Sequence, residues 1–252
     1  MPFAKNYSFI YDYLYKKKDY KFEANLALKV IKNYRKSIND ILEIGCGSGN
    51  FTKILIKKDY SVTAIDPSKE MIKIAKKKIK SKNLNFLNAR STNFKIKERK
   101  FDVCISLFHV FSYHTKNKEI NLFFKNISEH LKKDGVMIFD FWFKPAVLWL
   151  KPEKRIRIIE NKNYKIIRKI SPTWIKSRDL VFSNYEINIL NKKTKKRKKF
   201  SEKHPMRYFS INQVKKIMNK YNLKFLRSLD ILKNKPPKKN SWGATIVAKK
   251  LN

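Results

Sequence analysis

The feature that most constrains the fold is a cluster of glycines between a predicted strand and a predicted helix. The chain of 252 residues contains five glycines, and three of them, Gly45, Gly47 and Gly49, lie close together. The apolar run 40–44 predicts a strand before them, and the apolar spacing over 51–55 predicts a helix after them. Glycine permits a positive φ and a close approach between backbone and ligand. The cluster therefore predicts a tight turn that holds a ligand at the start of a helix.

An acidic residue follows at a separation typical of nucleoside-binding sites. Asp66 ends a second predicted strand, 61–66, and lies 21 positions after Gly45. A carboxylate there can accept hydrogen bonds from both ribose hydroxyls of an adenosine. A tight turn with a helix N-cap would explain the glycines but not their separation from Asp66. The loop departs from the dinucleotide fingerprint, because Asn50 stands where its last glycine would fall.

The pattern of apolar residues predicts an α/β core followed by an antiparallel segment. Strand and helix patterns alternate up to about residue 150, which favours a doubly wound, parallel sheet. Residues 155–171, 179–191 and 198–209 then alternate apolar and polar side chains, which predicts an antiparallel meander. The lysine-rich run 192–199 is then the solvated tip of a hairpin.

Composition favours a packed protein in a reducing compartment. Hydrophobic residues make up 42% of the chain, which argues against general disorder. The chain has two cysteines, Cys46 and Cys104, so a disulfide framework is excluded and a cytoplasmic location is predicted. No apolar run reaches the roughly 18 residues that span a bilayer. The first residues also lack the apolar stretch of a signal peptide.

The net charge of +40 admits two explanations. The 60 basic and 20 acidic residues suggest a nucleic-acid partner. However, only ten of the basic residues are arginine, the side chain best suited to bidentate recognition of phosphates and bases. Lysine, asparagine and isoleucine are abundant along the whole chain, as an AT-rich genome tends to encode. Charge alone therefore favours a compositional bias over nucleic-acid binding.

Four segments together resemble the class I S-adenosylmethionine-dependent methyltransferases. They occur in the order and spacing of that family over about residues 38–141. The matching residues are Glu43, Gly45, Gly47 and Gly49; Asp66, Pro67, Ser68 and Met71; Phe101, Asp102, Val103 and Ser106; and 131–135. The resemblance implies a Rossmann-like, doubly wound, mostly parallel seven-stranded sheet, with the antiparallel β insertion after the fifth strand. It also implies S-adenosylmethionine as cofactor and S-adenosylhomocysteine as product.

The resemblance assigns parts of the cofactor to particular residues. The glycine loop would wrap the methionine part, Asp66 would hold the ribose, and Met71 would pack near the adenine. Where the family has an acidic adenine contact after the third strand, this chain has Asn88, whose side-chain oxygen could accept the same hydrogen bond. The cofactor-binding set expected in this way is Tyr11, Tyr20, Glu43, Gly45, Cys46, Gly47, Gly49, Asp66, Pro67, Met71, Asn88, Ala89 and Leu107.

The methyl acceptor is expected at the ends of the fourth and fifth strands, because ligands of open α/β sheets bind outside the carboxyl ends. His109 is the candidate base there, since a neutral imidazole can take a proton near neutral pH. A structural histidine bonded to the backbone is the alternative. In this family an N-terminal helix commonly closes the site, so Tyr11 is a second catalytic candidate. Tyr15 and Trp142 are expected to contact the acceptor.

A narrower resemblance concerns the acceptor. Segments 11–15, 18–20, 106–113, 139–148, 204–208 and 242–243 look like methyltransferases of bacterial sugar modification, including N-methyltransferases of nucleotide-linked amino sugars. One or two arginines in or beside the insertion could bind the diphosphate of such an acceptor, although exposed surface arginines are the alternative. The candidates are Arg155, Arg157, Arg168, Arg178 and Arg207, and of these Arg157, Arg178 and Arg207 are expected to contact the acceptor. In such enzymes the insertion covers the acceptor or forms a homodimer. Whether nitrogen or oxygen is methylated stays open.

Two rival functions are disfavoured. A nucleic-acid base methyltransferase usually carries an Asn/Asp-Pro-Pro-Tyr-type motif after the fourth strand, whereas this chain reads Ser-Leu-Phe-His at 106–109. A cofactor-sensing scaffold would not need the crowded acceptor region. No metal-binding spacing of histidine and cysteine occurs, so no metal is expected.

These inferences divide the chain into four parts. They are an N-terminal helical lid (1–36), an S-adenosylmethionine-binding core (37–150), an antiparallel β insertion (151–209), and a C-terminal helix with the last core strands (210–252).

Overall fold

The computed structural model describes residues 5–97, 99–230 and 233–251. Two sequence predictions extend outside these residues: the start of the N-terminal lid at 1–4, and the end of a strand at 223–231. The described α-helices are α1 (Lys5–Leu14), α2 (Tyr20–Lys32), α3 (Asn50–Ile56), α4 (Lys69–Lys78), α5 (Asn117–His130), α6 (Lys144–Leu150) and α7 (Ile211–Asn219). Two short 3₁₀ helices span Val110–Tyr113 and Lys176–Arg178.

The central sheet has the strand order β3-β2-β1-β4-β5-β11-β10. Its strands are β1 (Asp40–Ile44), β2 (Ser61–Asp66), β3 (Leu84–Asn88), β4 (Phe101–Ser106), β5 (Leu131–Phe143), β10 (Leu223–Leu229) and β11 (Gly243–Lys250). The first five are parallel, and β11 runs antiparallel to both of its neighbours. This is the doubly wound, mostly parallel seven-stranded sheet that the sequence predicts.

The insertion is a four-stranded antiparallel meander of β6 (Arg155–Glu160), β7 (Tyr164–Ile175), β8 (Leu180–Asn191) and β9 (Arg197–Phe209). The first predicted run, 155–171, is therefore not one strand. It is broken after β6 because the side chain of Asn161 accepts hydrogen bonds from the backbone N–H groups of Asn163 and Tyr164, which closes a turn. The lysine-rich run lies at the β8–β9 hairpin, as predicted, but Arg197 and the two residues after it already belong to β9.

Among the described residues, the insertion sheet pairs with the central sheet at one place. At the end of β5, Trp142 pairs with Tyr208 and Phe143 pairs with Phe209, so β9 extends the central sheet beyond β5. The sheet buries apolar side chains on both faces, as strands covered on both sides require. On one face the packing is dominated by phenylalanines, among them Phe111, Phe123 and Phe139. A smaller cluster joins α1 to the insertion strands.

No helix in the described part of the chain is long and apolar enough to cross a membrane.

Candidate functional site

A cavity of about 590 Å³ lies between the carboxyl ends of the parallel strands and the insertion sheet. Its core end is lined by Ile44, Gly45, Gly47, Ile65, Asp66, Pro67, Met71 and 89–92. Its insertion end is lined by residues that include Arg155, Arg168, Tyr185, His204 and Met206. Tyr7, Tyr11 and Tyr15 of the α1 region line it as well. The volume is in the range of sites that bind a cofactor or a drug-sized molecule.

The glycine loop turns tightly against β2. The backbone N–H groups of Gly45 and Cys46 both donate to the carbonyl of Ile65, at 2.8 and 3.0 Å. Gly45 has a φ of 75°, and a Cβ there would clash with the side chain of Val110. Gly47 faces open space, because a Cβ there would meet no atom within 4 Å. This loop leaves the backbone beside the cavity uncovered, which is the environment that a bound cofactor needs.

Asp66 is held rigidly beside the loop. Its Oδ2 accepts a hydrogen bond from the N–H of Gly47 at 2.9 Å, and its Oδ1 accepts one from the N–H of Ser68 at 2.8 Å. Burial raises the pKa of Asp66 to about 6. Its carboxylate oxygens retain lone pairs that can accept further hydrogen bonds from ribose hydroxyls.

Four predicted cofactor residues lie in an adjoining pocket of about 40 Å³ rather than in the main cavity. They are Tyr20, Glu43, Cys46 and Leu107. Glu43 accepts a hydrogen bond from the hydroxyl of Thr52 at 2.6 Å, and burial raises its pKa to about 7. Burial also raises the pKa of the Cys46 thiol. Tyr11, Ile44, Gly45 and Phe108 line both spaces, so the small pocket adjoins the cavity.

Gly49 and Asn88 lie outside both spaces, contrary to expectation. Gly49 caps α3 and packs on α4, since a Cβ there would lie 2.9 Å from Cδ1 of Ile79. Asn88 is exposed at the end of the edge strand β3, and its side-chain Nδ2 donates to the carbonyl of Asp66 at 2.9 Å. Ala89 and the three residues after it line the cavity instead.

His109 lies at the end of β4 in an uncommon backbone conformation. Phe108 and His109 have φ values of 72° and 62°, in the left-handed region that bulky non-glycine residues seldom adopt. The N–H of His109 donates to Oδ1 of Asp140 at 2.6 Å, and Nδ1 of its ring lies 3.5 Å from Oδ2 of the same carboxylate. Asp140 therefore faces the Nδ1 side of the imidazole, which leaves Nε2 for a ligand in the cavity.

The insertion end contains a buried cation among tyrosines. Arg168 is 6% exposed. Its Nη1 donates to the hydroxyls of Tyr7 and Tyr15, at 3.1 and 3.4 Å, and its guanidinium lies 5.0 Å from the ring centre of Tyr185. Its buried Nε makes no hydrogen bond. No carboxylate of the described residues forms an ion pair with it. A buried guanidinium in this state can form charge-assisted hydrogen bonds with an anionic ligand.

The three arginines expected to bind a diphosphate do not line the cavity. Arg207 donates to the carbonyl of Thr115 and to Oδ1 of Asn117, which turns it away. Arg178 is exposed in a 3₁₀ helix, and Arg157 lies half-buried on the edge strand β6. The sequence analysis named Arg168 among five candidate arginines but did not select it, because the alternation that predicts the insertion strands does not tell which arginine faces the core.

Two further polar residues of the cavity also escaped the sequence analysis. The hydroxyl of Tyr113 lies 2.8 Å from Nδ1 of His204, and Nε2 of His204 lies 3.1 Å from Oε2 of Glu202. Tyr15 and Trp142, expected to contact the acceptor, do line the cavity. Within the described part of the chain, no group of three or more histidine, cysteine, aspartate or glutamate side chains is placed to hold a metal ion.

Comparisons with known proteins agree with this geometry. Residues 41–135 match the family model described as a methyltransferase domain. The dTDP-3-amino-3,4,6-trideoxy-α-D-glucopyranose N,N-dimethyltransferase of Streptomyces venezuelae is 25% identical over 138 residues, which cover 54% of this chain and 57% of that protein. The chain thus spans about half the length of the curated relatives it matches.

Two solved structures resemble the whole fold. The S-adenosylmethionine-dependent methyltransferase of Clostridium acetobutylicum superposes with a TM-score of 0.82 at 25% identity, over 98% of both chains. The sugar N-methyltransferase KedS8 of Streptoalloteichus superposes with a TM-score of 0.83 at 17% identity, over 97% of this chain and 93% of that one.

Residues 41–135 thus form a methyltransferase domain, and the fold is that of S-adenosylmethionine-dependent methyltransferases. These findings confirm the resemblance predicted from the sequence.

Proposed function

We propose that the protein transfers a methyl group from S-adenosylmethionine to an amine or hydroxyl of a small molecule, and that this acceptor is a nucleotide-linked sugar. The observation that carries the proposal is the single cavity that runs from the glycine loop and Asp66 to the buried Arg168. One end has the groups that suit an adenosyl cofactor, and the other has a cation that suits an anionic acceptor.

The cofactor, when bound, supplies an electrophilic methyl group on a sulfonium sulfur. Gly45 and Gly47 give the methionine part room beside the backbone, and Asp66 accepts hydrogen bonds from the ribose. Met71 and Ala89 line the space next to Asp66 and supply apolar contacts for the adenine. Glu43, Tyr20, Cys46 and Leu107 close the cofactor site from the smaller pocket.

His109 is proposed as the base. A neutral imidazole with Asp140 on its Nδ1 side can take a proton through Nε2, and the carboxylate then stabilises the imidazolium. The Trp142 side chain and α1, with Tyr11 and Tyr15, exclude water and hold the acceptor in line with the methyl group. Much of the rate acceleration of a displacement comes from such alignment.

Arg168 is proposed to bind the anionic part of the acceptor. Arginine pairs bidentately with phosphate oxygens, and a buried guanidinium without a carboxylate partner gains most from an anionic ligand. Arg155 lies at the same end of the cavity and adds a second positive charge. This pairing favours a nucleoside diphosphate over an uncharged sugar. A homodimer and a cytoplasmic location, both predicted from the sequence, accompany this proposal.

A thermal-shift panel tests the proposal. S-adenosylhomocysteine is present throughout, and dTDP-3-amino-3,4,6-trideoxy-α-D-glucopyranose, its 3-hydroxy counterpart and a short RNA are added in turn. A ligand that binds only the folded state raises Tm. We expect a rise with the nucleotide sugars and, with S-adenosylmethionine, a product heavier by one methyl group. A rise with RNA alone, steeply reduced by salt, would replace this function with nucleic-acid methylation.

A further inference from the structure

The insertion end of the cavity contains a chain of three hydrogen-bonding groups that the proposed methyl transfer does not use. Tyr113 lies in the 3₁₀ helix after His109, and both Tyr113 and His204 line the cavity. The Tyr113 hydroxyl is 2.8 Å from Nδ1 of His204, and Nε2 of His204 is 3.1 Å from a carboxylate oxygen of Glu202. The ring of His204 is 1% exposed. The chain of groups thus runs from the ligand space into the protein interior.

The partners of His204 fix the position of its proton. A carboxylate such as that of Glu202 only accepts hydrogen bonds, so Nε2 of the neutral ring carries the hydrogen. Nδ1 is then unprotonated and accepts the hydrogen bond of the Tyr113 hydroxyl. A phenol oxygen can both donate and accept hydrogen bonds, so the Tyr113 hydroxyl is suited to pass a proton from a ligand in the cavity to His204.

Three phenols face the ring of His204. Tyr7 from α1, Tyr113 from the 3₁₀ helix and Tyr185 from β8 face its ring, with ring centres 5.3, 6.0 and 4.4 Å away. Burial raises the pKa of each of these phenols well above its ordinary value, so all three are neutral near pH 7. A cation also faces this group of rings, since the guanidinium of Arg168 lies 5.0 Å from the ring centre of Tyr185.

We infer that Tyr113, His204 and Glu202 form a proton relay that deprotonates an ammonium acceptor before methyl transfer. The inference rests on the proposed function. The acceptor nitrogen gives a proton to the Tyr113 oxygen, and the Tyr113 hydroxyl proton moves to Nδ1 of His204. One N–H bond of the acceptor breaks, one N–H bond forms on His204, and Tyr113 ends as it began. The new positive charge on His204 lies beside the Glu202 carboxylate, and the acceptor nitrogen gains the lone pair that attack requires.

The relay complements His109 rather than replacing it. An amine that arrives protonated must lose one proton before attack, and the methylated nitrogen must lose another before it is neutral again. His109, paired with Asp140 at the end of β4, takes the second proton. A hydroxyl acceptor has one proton to lose and would need only one of the two bases. The presence of both therefore assigns the site to amines.

Ring nitrogen NMR tests the relay without any acceptor. The chain has four histidines, so ¹⁵N-histidine protein in complex with S-adenosylhomocysteine gives four sets of ring signals. His114 and His130 each face a backbone carbonyl with Nδ1, at 3.0 and 2.7 Å, so their Nδ1 carries the hydrogen. His204 is expected to be the Nε2–H tautomer, and loss of its signals in His204→Gln assigns it.

The matched pair Tyr113→Phe and Tyr221→Phe then tests the hydrogen bond. Both remove a phenol hydroxyl, but that of Tyr221 donates to Asn121 at 2.9 Å outside the cavity. We expect Tyr113→Phe to shift the Nδ1 resonance of His204 and Tyr221→Phe to leave it in place. An Nδ1–H tautomer for His204, or a resonance indifferent to Tyr113, would overturn the relay.

Steady-state kinetics with dTDP-3-amino-3,4,6-trideoxy-α-D-glucopyranose supplies the second readout. Tyr113→Phe and Glu202→Gln are expected to lower kcat about 100-fold, as the loss of a proton-transfer group does. KM for both substrates is expected to change less than about threefold, because both variants leave Arg168, the proposed binding group of the acceptor, in place. An unchanged kcat, or an effect seen only as a higher KM, would show that the three residues have a structural role and no role in proton transfer. A wild-type protein that does not methylate this sugar would refute the proposed acceptor, and the NMR result would still decide the relay.

Discussion

Gly243 leaves the space that the imidazole ring of His109 occupies: a Cβ on Gly243 would lie 2.7 Å from Cε1 of His109. The last strand of the core sheet therefore fixes the ring from one side, and Asp140 approaches it from another. Alanine at position 243 is expected to displace the ring and to lower kcat about 10- to 100-fold. Binding of S-adenosylhomocysteine, measured by calorimetry, is expected to stay unchanged.

A double-mutant cycle isolates this effect. If Gly243 acts through His109, Gly243→Ala causes little further loss of kcat in a His109→Gln background. Equal losses in the two backgrounds would show that Gly243 serves the sheet and not the histidine.

Cofactor binding is expected to depend on the ionisation of Asp66. Burial raises the pKa of this carboxyl to about 6, and only its ionised form accepts hydrogen bonds from both ribose hydroxyls. Affinity for S-adenosylhomocysteine should therefore fall as pH drops below about 6, by about tenfold per unit. The stability of the unliganded protein has the opposite pH dependence. Because the pKa of Asp66 is raised in the folded state, its contribution to the free energy of unfolding is favourable at low pH and is lost as the pH rises through about 6. Calorimetry from pH 5 to 8 measures the affinity.

Asp66→Asn is the control for that titration. The amide cannot ionise, so its affinity should be lower throughout, about 10- to 100-fold at pH 8, and should vary less with pH. Parallel pH profiles for the two proteins would assign the titration to another group, with Glu43, whose pKa burial raises to about 7, as the next candidate.

Arg168 should matter for the acceptor and not for folding. Replacing it by methionine removes an uncompensated buried charge, so Tm is expected to stay level or rise. KM for the dTDP-linked amino sugar is expected to increase about 10- to 100-fold through the loss of charge-assisted hydrogen bonds. Arg157→Met is the matched control, because Arg157 pairs with Arg168 across β6 and β7 but does not line the cavity. Equal effects of the two substitutions would contradict the assignment.

Asp102 should carry a large share of the pH dependence of stability. Burial by itself raises its pKa, but the N–H groups of Asp40 and Asn39 and the side chains of Lys132 and Arg35 lower it to about 2. The stabilisation is thus present above about pH 4 and is lost as pH falls towards 2. Asp102→Asn is expected to reduce the free energy of unfolding by about 2 kcal/mol at pH 7. Urea denaturation at pH 7 and at pH 3 should show the wild type and variant converging at the lower pH.

Helix α1 should control how fast the cofactor leaves. Asp12 accepts hydrogen bonds from Ser48 at 2.6 Å and from Asn50 at 3.0 Å, and it forms an ion pair with Lys78. These contacts fasten α1 to the glycine loop and to α4. Asp12→Ala is expected to raise the dissociation rate of S-adenosylhomocysteine about tenfold in stopped-flow experiments, a loss of about 1.4 kcal/mol. Asp19→Ala, which removes only the N-cap of α2, is the comparison, and a similar acceleration there would argue against a specific latch.

The core end of the site could be predicted from the sequence because its signals are local. Gly45 and Asp66 lie at the ends of adjacent strands, and their separation in sequence fixes their meeting in space. Even there, Gly49 packs α3 on α4, and the amide of Asn88 bonds to the backbone rather than facing the cavity. The pattern predicts which residue types lie at the strand ends, but side-chain direction there depends on neighbours that the pattern does not include.

The insertion end could not be predicted because its contacts join distant parts of the chain. Arg168 bonds to Tyr7, 161 positions earlier, and Tyr113 to His204, 91 positions later. Alternation along a strand tells which side chains share a face but not which strand lies nearest the core. For that reason the sequence names Arg168 as one candidate among five arginines but does not distinguish it from the others.

The pairing of Phe143 with Phe209 has a consequence for how such proteins diversify. The chain leaves the central sheet after Phe143 and returns to it at Phe209, which pairs with Phe143. The segment between these two residues therefore begins and ends at neighbouring positions. A recombination event that exchanges this segment can preserve both of its connections to the sheet, and it leaves Gly45 and Asp66 unchanged. Descendants of one ancestor can in this way acquire a different acceptor in a single step while they inherit the same methyl donor.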